Sequence, residues 1–294
     1  MRWETGAGNI AEDVSRTLRR AGFRVELLSY PHVARSIDIV ACKGDTRVFM
    51  KISGDLRDLS GMEMDDLKKS GVAYNSSTLI VAERNGGRKL EDDVVYVRNG
   101  VNIVTPELLN NYLLRNNKPI VVNIKGNYLL KLSASRLHEK RKEIGLTRGE
   151  LAEMLGVSRK TIYMYEKGEL MISLQKGIEL ARVIGEDVFD EIDIFSDKIE
   201  APALDDIREE PLLSDEIEET IWRLLNRLSN LVVKLSRTPV DIVAKGRDTI
   251  TVTRLDGVEE KAEKLENAEK IARTTGSRLV TIETKSDLKS LRSE

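Results

Sequence analysis

The segment LTRGELAEMLGVSRKTIYMYEKGE, residues 146–169, constrains the fold more than any other part of the chain. Thr147 is a residue type that favours a helix N-cap, and Glu150 follows three positions later, which completes a capping box. Gly156 is suited to end this helix, and Ser158 is suited to cap a second one directly after it. Two capped helices joined by a short turn that contains glycine are the pattern of a helix-turn-helix.

The second of these helices has one face for a core and one for a partner. Ile162 and Tyr165 are spaced to point inward, so the side chains around them point outward. The first turn of such a helix reaches base edges in the major groove, where Arg can bind guanine through two hydrogen bonds. Arg148, at the start of the preceding helix, is expected to bind a phosphate. We predict double-stranded DNA as the partner, with further contacts from Ser158, Arg159, Lys160, Thr161, Tyr163, Met164 and Lys167.

The run SRKTIYMYEKG, residues 158–168, resembles the recognition helix of Cro/C1-type (Xre-like) DNA-binding domains. The resemblance implies a domain of five helices in which Arg159, Lys160 and Met164 contact bases. It also implies an ion pair between Arg141, on the first helix of the domain, and Glu166, on the third.

The net charge of −2 conceals two segments of opposite charge. Residues 118–170 contain 11 Lys and Arg against 6 Glu, and this basic excess coincides with the predicted DNA-binding helices, as attraction to phosphate requires. Residues 186–219 contain 15 Asp and Glu against 2 basic residues. We interpret the acidic segment as a solvated linker. The alternative is that it mimics DNA and covers the basic face.

Several classes of protein are disfavoured by composition. No apolar run is long enough to span a bilayer, and the first residues lack the apolar core of a signal peptide, so we expect a cytoplasmic protein without membrane contact. The single cysteine, Cys42, excludes an intrachain disulfide and a cysteine-rich zinc site. His32 and His138 lie far apart in the sequence, with no obvious companion ligands. We therefore expect neither a metal nor a cofactor.

The first 116 residues combine helix and strand patterns. Ile10, Val14 and Leu18 recur every four residues and predict a helix. Strands are then predicted at 23–30, 36–42 and 46–52, followed by a helix at 62–69 and a buried strand at 77–83. This order resembles the restriction-endonuclease-like fold, in which helices pack on a mixed sheet.

That resemblance implies a metal-dependent nuclease site, with an Asp on the second strand and an acidic-x-Lys triplet on the third. The acidic position of the triplet is Phe49 here, which leaves too few oxygen ligands for a divalent ion. Glu63 or Asp65 on the next helix could supply the missing carboxylate. We expect a scaffold that does not cleave DNA, in which the vestigial site residues are Asp38, Lys51 and Glu12.

A second region repeats this pattern near the C-terminus. Residues 239–257 match residues 36–54, so that Asp241 corresponds to Asp38. A helix at 259–274 and a strand at 277–283 follow in the same order, and at equal spacing the triplet falls on Val252, Thr253 and Arg254. We interpret the repeat as a duplication of the nuclease-like unit. A chance similarity of two hairpins is the alternative.

These features predict an α+β multidomain chain, with an all-α five-helix Cro/C1-type domain between two mixed α/β restriction-endonuclease-like units. The expected divisions are a nuclease-like unit at 1–116, a hairpin connector at 117–132, the helix-turn-helix domain at 133–195, an acidic linker at 196–214 and a second nuclease-like unit at 215–294.

The whole arrangement resembles the archaeal family of HTH-type transcriptional regulatory proteins. The resemblance implies a DNA-binding regulator of transcription and not an enzyme. Two other classes stay open on the residues alone. One is a metal-dependent nuclease targeted by the helix-turn-helix, and the other is an adaptor that binds a protein of the transcription machinery through the same helices.

We also expect a homodimer that is held together outside the helix-turn-helix domain. The apolar residues of that domain are all needed for its own core, namely Ile162, Tyr165, Leu174, Ile178 and Leu180. The flanking units offer strand edges, and a helix predicted at 215–236 is long enough to bridge two subunits. The alternative is that the two units pair within one chain, which would give a monomer.

Overall fold

The computed structural model describes residues 7–196 and 211–291. Residues 197–210 of the acidic linker predicted at 196–214 therefore lie outside the described residues. None of the helices in the described ranges has the length and apolar content that crossing a membrane requires.

The first unit begins with an amphipathic helix and builds most of a large sheet. Its helices are α1 (Ala7–Arg20), α2 (Gly61–Ala73) and α3 (Pro106–Arg115). Its strands are β1 (Arg24–Leu27), β2 (Ile39–Lys43), β3 (Thr46–Asp55), β4 (Ser77–Asn85), β5 (Arg88–Lys89), β6 (Val94–Arg98) and β7 (Val101–Val104). A short 3-10 helix, Leu56–Asp58, follows β3.

The large sheet continues past this unit into the helix-turn-helix domain. The next strands are β8 (Val121–Ile124), β9 (Asn127–Leu130) and β10 (Ile172–Ser173), and the sheet runs in the order β1-β2-β3-β4-β7-β6-β8-β9-β10, with β5 paired to β4. In the last pair, Ile172 lies opposite Leu130. The expected divisions near residues 116 and 132 are thus crossed by continuous strand pairing, which ties the orientation of the DNA-binding helices to the first unit.

The helix-turn-helix domain contains four α-helices, α4 (Ala134–Glu143), α5 (Arg148–Leu155), α6 (Arg159–Glu166) and α7 (Leu174–Ile184). A domain of five helices was expected, but after α7 the chain forms only a three-residue 3-10 helix, Glu186–Val188. The chain then returns to the first unit, where Ile192 and Ile194 are fully buried in its core. The segment expected to end the helix-turn-helix domain at residue 195 therefore packs elsewhere.

One expected core residue of this domain is exposed. Ile178 is 48% exposed, so its assignment to the core was wrong. The reason is Gly177, which faces the sheet so closely that a Cβ there would lie 2.3 Å from Leu130 Cδ1. Because the glycine takes the inward position on α7, the adjacent isoleucine turns toward solvent.

The second unit has the element order of the first. It consists of α8 (Glu216–Leu228), β11 (Leu231–Lys234), β12 (Ile242–Lys245), β13 (Thr249–Arg254), α9 (Lys261–Thr275) and β14 (Arg278–Ile282), with a final 3-10 helix, Lys285–Leu291. The helix predicted at 215–236 is wrong in its second half, because the chain turns at residues 229–230 and forms β11. The four-strand sheet of the second unit, β11-β12-β13-β14, repeats the pairing of β1 to β4. In both sheets the last two strands, β13 with β14 and β3 with β4, are parallel.

Hydrogen bonds fix the correspondence between the units. Asp38 Oδ2 accepts from Ile52 N, and Asp241 Oδ2 accepts from Arg254 N, both at 2.7 Å. The hairpin between the strands is one residue shorter in the second unit, since Asp38 N donates to Met50 O and Asp241 N donates to the carbonyl of residue 252. Residues 251–253, and not residues 252–254, are therefore the structural equivalents of the triplet at residues 49–51.

The two units pack against each other with one helix from each lying between the two sheets. Helix α2 of the first unit lies on β11 and β12, and helix α9 of the second lies on β1 and β2. One hydrophobic core consequently contains Phe49 and Ile80 from the first unit together with Val233, Val243 and Ile271 from the second. A separate core on the opposite face of the large sheet lies beneath α1 and α3.

Two polar side chains in matching places, one on each helix, form hydrogen bonds with the backbone of the other unit. Asp66 on α2 accepts hydrogen bonds from Ser236 N and Arg237 N, at 3.1 and 2.7 Å, just after β11. Asn267 on α9 accepts one from Ser29 N at 2.7 Å, just after β1. Each helix thus caps the end of the first strand of the other unit.

Candidate nucleic-acid interface

The two central helices of the DNA-binding domain are fixed by their caps. The Thr147 hydroxyl accepts from Glu150 N, and the Glu150 carboxylate accepts from Thr147 N at 2.7 Å, so both halves of the capping box form. Gly156 closes α5 in the left-handed conformation, with φ 62°. Ser158 then caps α6, because its Oγ accepts from Thr161 N at 3.0 Å. The turn is thereby set by local sequence.

The outward face of α6 carries the predicted contact residues. Arg159, Lys160 and Lys167 are exposed, and Tyr163 is 43% exposed, whereas Ile162 and Tyr165 are buried. Within the described ranges, neither Arg159 nor Lys160 forms an ion pair with another side chain. The remaining members of the predicted set divide by role: Ser158 serves as the cap, and Thr161 and Met164 are half-buried.

A buried glutamate fastens α6 to the rest of the domain. Glu166 Oε1 accepts from Arg141 Nε at 2.5 Å, and its Oε2 accepts from Arg148 Nε at 2.6 Å and lies 3.2 Å from His138 Nδ1. Burial alone would raise the pKa of Glu166, but hydrogen bonds from Arg141, Arg148 and His138 outweigh it and lower the pKa to about 2. The ionised carboxylate therefore joins α4, α5 and α6, and Arg141 also donates to Leu146 O.

Arg148, predicted to contact a phosphate, is anchored to the domain through one edge of its guanidinium. Its guanidinium lies 5.3 Å from the centroid of the Tyr163 ring, while its Nε is bound to Glu166. Lys167 Nζ lies 5.7 Å from the same ring. Cations against an aromatic face are attracted to it, so Arg148 and Lys167 hold Tyr163 in place on the outward face.

Two residues predicted from the nuclease resemblance, Asp38 and Lys51, lie in a closed set of ion pairs. Asp38 Oδ1 accepts from Arg35 Nε at 2.9 Å, and Lys51 Nζ lies 3.3 Å from Asp38 Oδ2 and 3.2 Å from Glu63 Oε1. Of the two candidate replacement acids, Glu63 therefore joins the site. Asp65 is exposed and pairs with Lys68.

These residues do not fit a divalent metal. Both oxygens of Asp38 already accept hydrogen bonds, two positive charges balance its charge and that of Glu63, and Phe49 is fully buried. A metal would have to displace Arg35 or Lys51 from a nearly dry environment, where breaking a buried ion pair is costly. Glu12, the third acid predicted from the sequence, is exposed on α1.

The equivalent place in the second unit holds a different cation. Lys264 Nζ, from helix α9, lies 2.9 and 2.8 Å from the two oxygens of Asp241. Lys264 precedes Asn267 by three residues, as Glu63 precedes Asp66, so the two units place opposite charges at the same helical position. Sequence reasoning missed Arg35, Lys264, Asp66 and Asn267, because nothing local marks partners that are far away in the chain.

Comparisons with known proteins agree with this architecture. Residues 8–119 match a family model for the PD-(D/E)XK superfamily domain, and residues 137–190 match one for a helix-turn-helix. Both kinds of domain predicted from the sequence are therefore confirmed, although the five-helix count is not. No solved structure matches the chain significantly.

Relatives from archaea match most of the chain. A protein from Pyrococcus furiosus is 35% identical over 248 residues, which cover 84% of this chain and 76% of the relative. A protein from Aeropyrum pernix is 34% identical over 236 residues, covering 79% and 69% of the two chains. One from Archaeoglobus fulgidus is 30% identical over 252 residues, covering 85% and 79%. All three carry the name "Putative HTH-type transcriptional regulatory protein".

Proposed function

This chain belongs to the archaeal family of HTH-type transcriptional regulatory proteins, and on that premise we propose that it binds DNA sequence-specifically and regulates transcription in the cytoplasm. The observation that carries the proposal is the exposed basic first turn of α6 on a helix that Glu166 fastens to two neighbours. A reading helix must be held rigidly, because base contacts discriminate only when donors and acceptors are fixed in position.

The contact residues have separate roles in this proposal. Arg159 and Lys160 contact base edges in the major groove, since they lie in the first turn of α6. Thr161, Tyr163 and Met164 line the same face further along and adjust the fit to the bases. Lys167, exposed at the end of α6, and the outer part of Arg148 contact phosphates, which fix the register without reading sequence.

The test is selection of bound sequences from a random duplex pool by the full chain, followed by affinity measurement. Arg159→Ala should weaken binding to the selected site by about 1–3 kcal/mol while changing binding to random DNA much less. Arg247→Ala removes an equal charge from the exposed β12–β13 turn of the second unit and should leave both affinities unchanged. An equal loss on selected and random DNA for Arg159→Ala would remove its role in reading bases.

The nuclease-like units act as scaffold in this proposal. The ion pairs around Asp38 support this, because they occupy the oxygens that a metal would need. Supercoiled plasmid should stay intact with the chain in Mg²⁺ or Mn²⁺. Cleavage that disappears in a folded Asp38→Asn variant would instead establish the targeted nuclease. Weak binding to every selected duplex, together with a tight protein partner from the transcription machinery, would favour the adaptor.

The homodimer expected from the sequence would use surface that the two units do not bury against each other. The strand ends and apolar faces of the two units are engaged with each other, and the helix expected to bridge subunits ends at Leu228. The apolar surface left on the DNA-binding domain includes Ile178. Light scattering on the full chain and on Ile178→Glu decides the point. A dimer that this substitution dissociates places the interface on α7, and a monomer of the native chain shows that the expected dimer does not form in the absence of DNA.

A further inference from the structure

The seam between the two units brings together three side chains that can bind a metal ion. His32 lies in the loop between β1 and β2 of the first unit, and Glu260 and Glu263 lie at the start of α9 in the second. His32 Nε2 is 3.2 Å from Glu260 Oε1 and 3.2 Å from Glu263 Oε2. The sequence separates the histidine from the glutamates by more than two hundred residues, so only the pairing of the units assembles the group.

The spacing of these atoms matches a tetrahedral ion. Zinc binds imidazole nitrogen and carboxylate oxygen at about 2.0–2.2 Å, which places neighbouring ligand atoms roughly 3.3–3.6 Å apart. Both histidine–carboxylate separations are already close to that value, and all three ligand atoms lie within 4.8 Å of one another. An ion bound here would take three ligands from the protein and its fourth from water.

The glutamate nearest the seam is held from behind. Ser29 Oγ donates to Glu263 Oε1 at 2.5 Å, which leaves Oε2 turned toward His32. Ser29 is itself fixed by Asn267, whose Nδ2 donates to Ser29 Oγ at 3.2 Å and whose Oδ1 accepts from Ser29 N at 2.7 Å. Ligands of metal ions commonly have such supporting hydrogen bonds, because these fix the orientation of the binding oxygen.

The surroundings are negatively charged. Tyr30 stands beside His32, with ring centroids 6.5 Å apart. The carboxylates of Glu260 and Glu263 bring negative charge to His32, which a divalent cation would compensate.

We propose that His32, Glu260 and Glu263 bind a divalent transition-metal ion of the zinc type, and that the bound ion fastens the first unit to the second. Imidazole combined with carboxylate favours such ions over magnesium or calcium, which prefer oxygen ligands alone. The ion adds a further contact to the seam, which Asp66 and Asn267 also hold together. This role does not depend on how α6 reads DNA.

Calorimetric titration of the chelator-treated full chain with Zn²⁺ tests the proposal. One ion per chain should bind, and His32→Ala should weaken binding by about tenfold or more, as should Glu263→Gln. Glu259→Gln removes the same charge from a neighbouring exposed position and should bind zinc as the native chain does. Equal zinc binding by His32→Ala and the native chain would overturn the proposal.

A second measurement separates a metal site from an ion pair of protonated His32 with the two glutamates. With bound Zn²⁺, the native chain should unfold at a higher denaturant concentration than the same chain in chelator, and His32→Ala should show no such shift. If His32 instead stabilises the chelator-treated chain increasingly as the pH falls, and Zn²⁺ adds nothing, the site is an ion pair and the proposal fails.

Discussion

In the first nuclease-like unit, Asp38 lies between Arg35 and Lys51, and both cations come from the same unit near the sheet. In the second unit, Asp241 is paired with Lys264, which belongs to the same unit but lies on helix α9, the helix that also packs on the first unit. Both aspartates nevertheless accept the same backbone hydrogen bond from the third strand, at 2.7 Å. The difference shows that the aspartate fastens the hairpin in each unit, while the source of the balancing charge was free to change.

The comparison also explains why neither unit presents a metal site of the nuclease type. The position of the triplet acid is Phe49 in one unit and Thr251 in the other. Phe49 packs on Tyr74, with centroids 5.2 Å apart, and the Tyr74 hydroxyl lies 2.9 Å from Thr251 Oγ1. The two triplet positions therefore meet, through Tyr74, in the shared core between the units.

The largest effect is expected from restoring the acid in the first unit. Phe49→Glu removes a fully buried ring and places a carboxylate in the core, so it should destabilise the chain by about 5 kcal/mol or more. Thr251→Val, which removes only the hydroxyl contact in the second unit, should cost about 1–2 kcal/mol. Denaturant unfolding measures both. A folded Phe49→Glu variant that cleaves DNA in a metal-dependent reaction would contradict this. It would show that a single substitution is enough to make the first unit an active nuclease.

Removing the balancing cation should affect the second unit more than the first. Lys264→Met leaves Asp241 without its ion pair at the seam and should destabilise by about 3 kcal/mol. Lys51→Met should cost about 1–2 kcal/mol, because Asp38 keeps Arg35 and Glu63 keeps its hydrogen bonds from Ser60. The comparison predicts this order of unfolding midpoints, and the reverse order would show that Arg35 does not balance Asp38.

The two sides of the seam should contribute unequally to the stability of the chain. Asp66→Ala leaves two backbone N–H groups and the Ser36 hydroxyl without their acceptor, at a cost of about 2 kcal/mol. Asn267→Ala removes one such acceptor from Ser29 N and should cost about 1 kcal/mol. Hydrogen exchange at residues 235–238 and at residues 28–30 reports each side separately. Asp66→Asn keeps an acceptor and is the matched control, expected to fall between Asp66→Ala and the native chain.

The smallest expected effect is on the folding stability of the chain at acidic pH. Burial would raise the pKa of Glu63, but hydrogen bonds from Ser60 and the charge of Lys51 outweigh it and lower the pKa below its usual 4.5. A lowered native pKa means that Glu63 contributes stability above the unfolded value and loses it as the pH falls below about 4.5. Glu63→Gln should therefore flatten the stability curve in that range. Identical acid unfolding of Glu63→Gln and native chain would contradict this.

Much of the DNA-binding domain could be predicted from the sequence because its signals are local. The Thr147 and Ser158 caps, the left-handed Gly156 and the inward Ile162 each depend on residues within one or two turns. Ile178 was misassigned because apolar spacing alone cannot show that Gly177 approaches β9 so closely. The second half of the helix predicted at 215–236 failed similarly, since Val232 and Leu235 continue a helical spacing but belong to the strand β11 and its exit.

The sequence by itself determined the capped helix pair, the basic turn of α6 and the repeated hairpin, because hydrogen bonds and apolar periodicity within a few residues specify them. Only the tertiary structure decided that each unit packs a helix on the sheet of the other. It also decided that Lys264 and not a metal balances the charge of Asp241, and that His32 lies beside Glu260 and Glu263. Those pairs are separated by tens to hundreds of residues. Their contacts depend on how whole sheets pack, and no local pattern records which distant side chain will complete a buried charge.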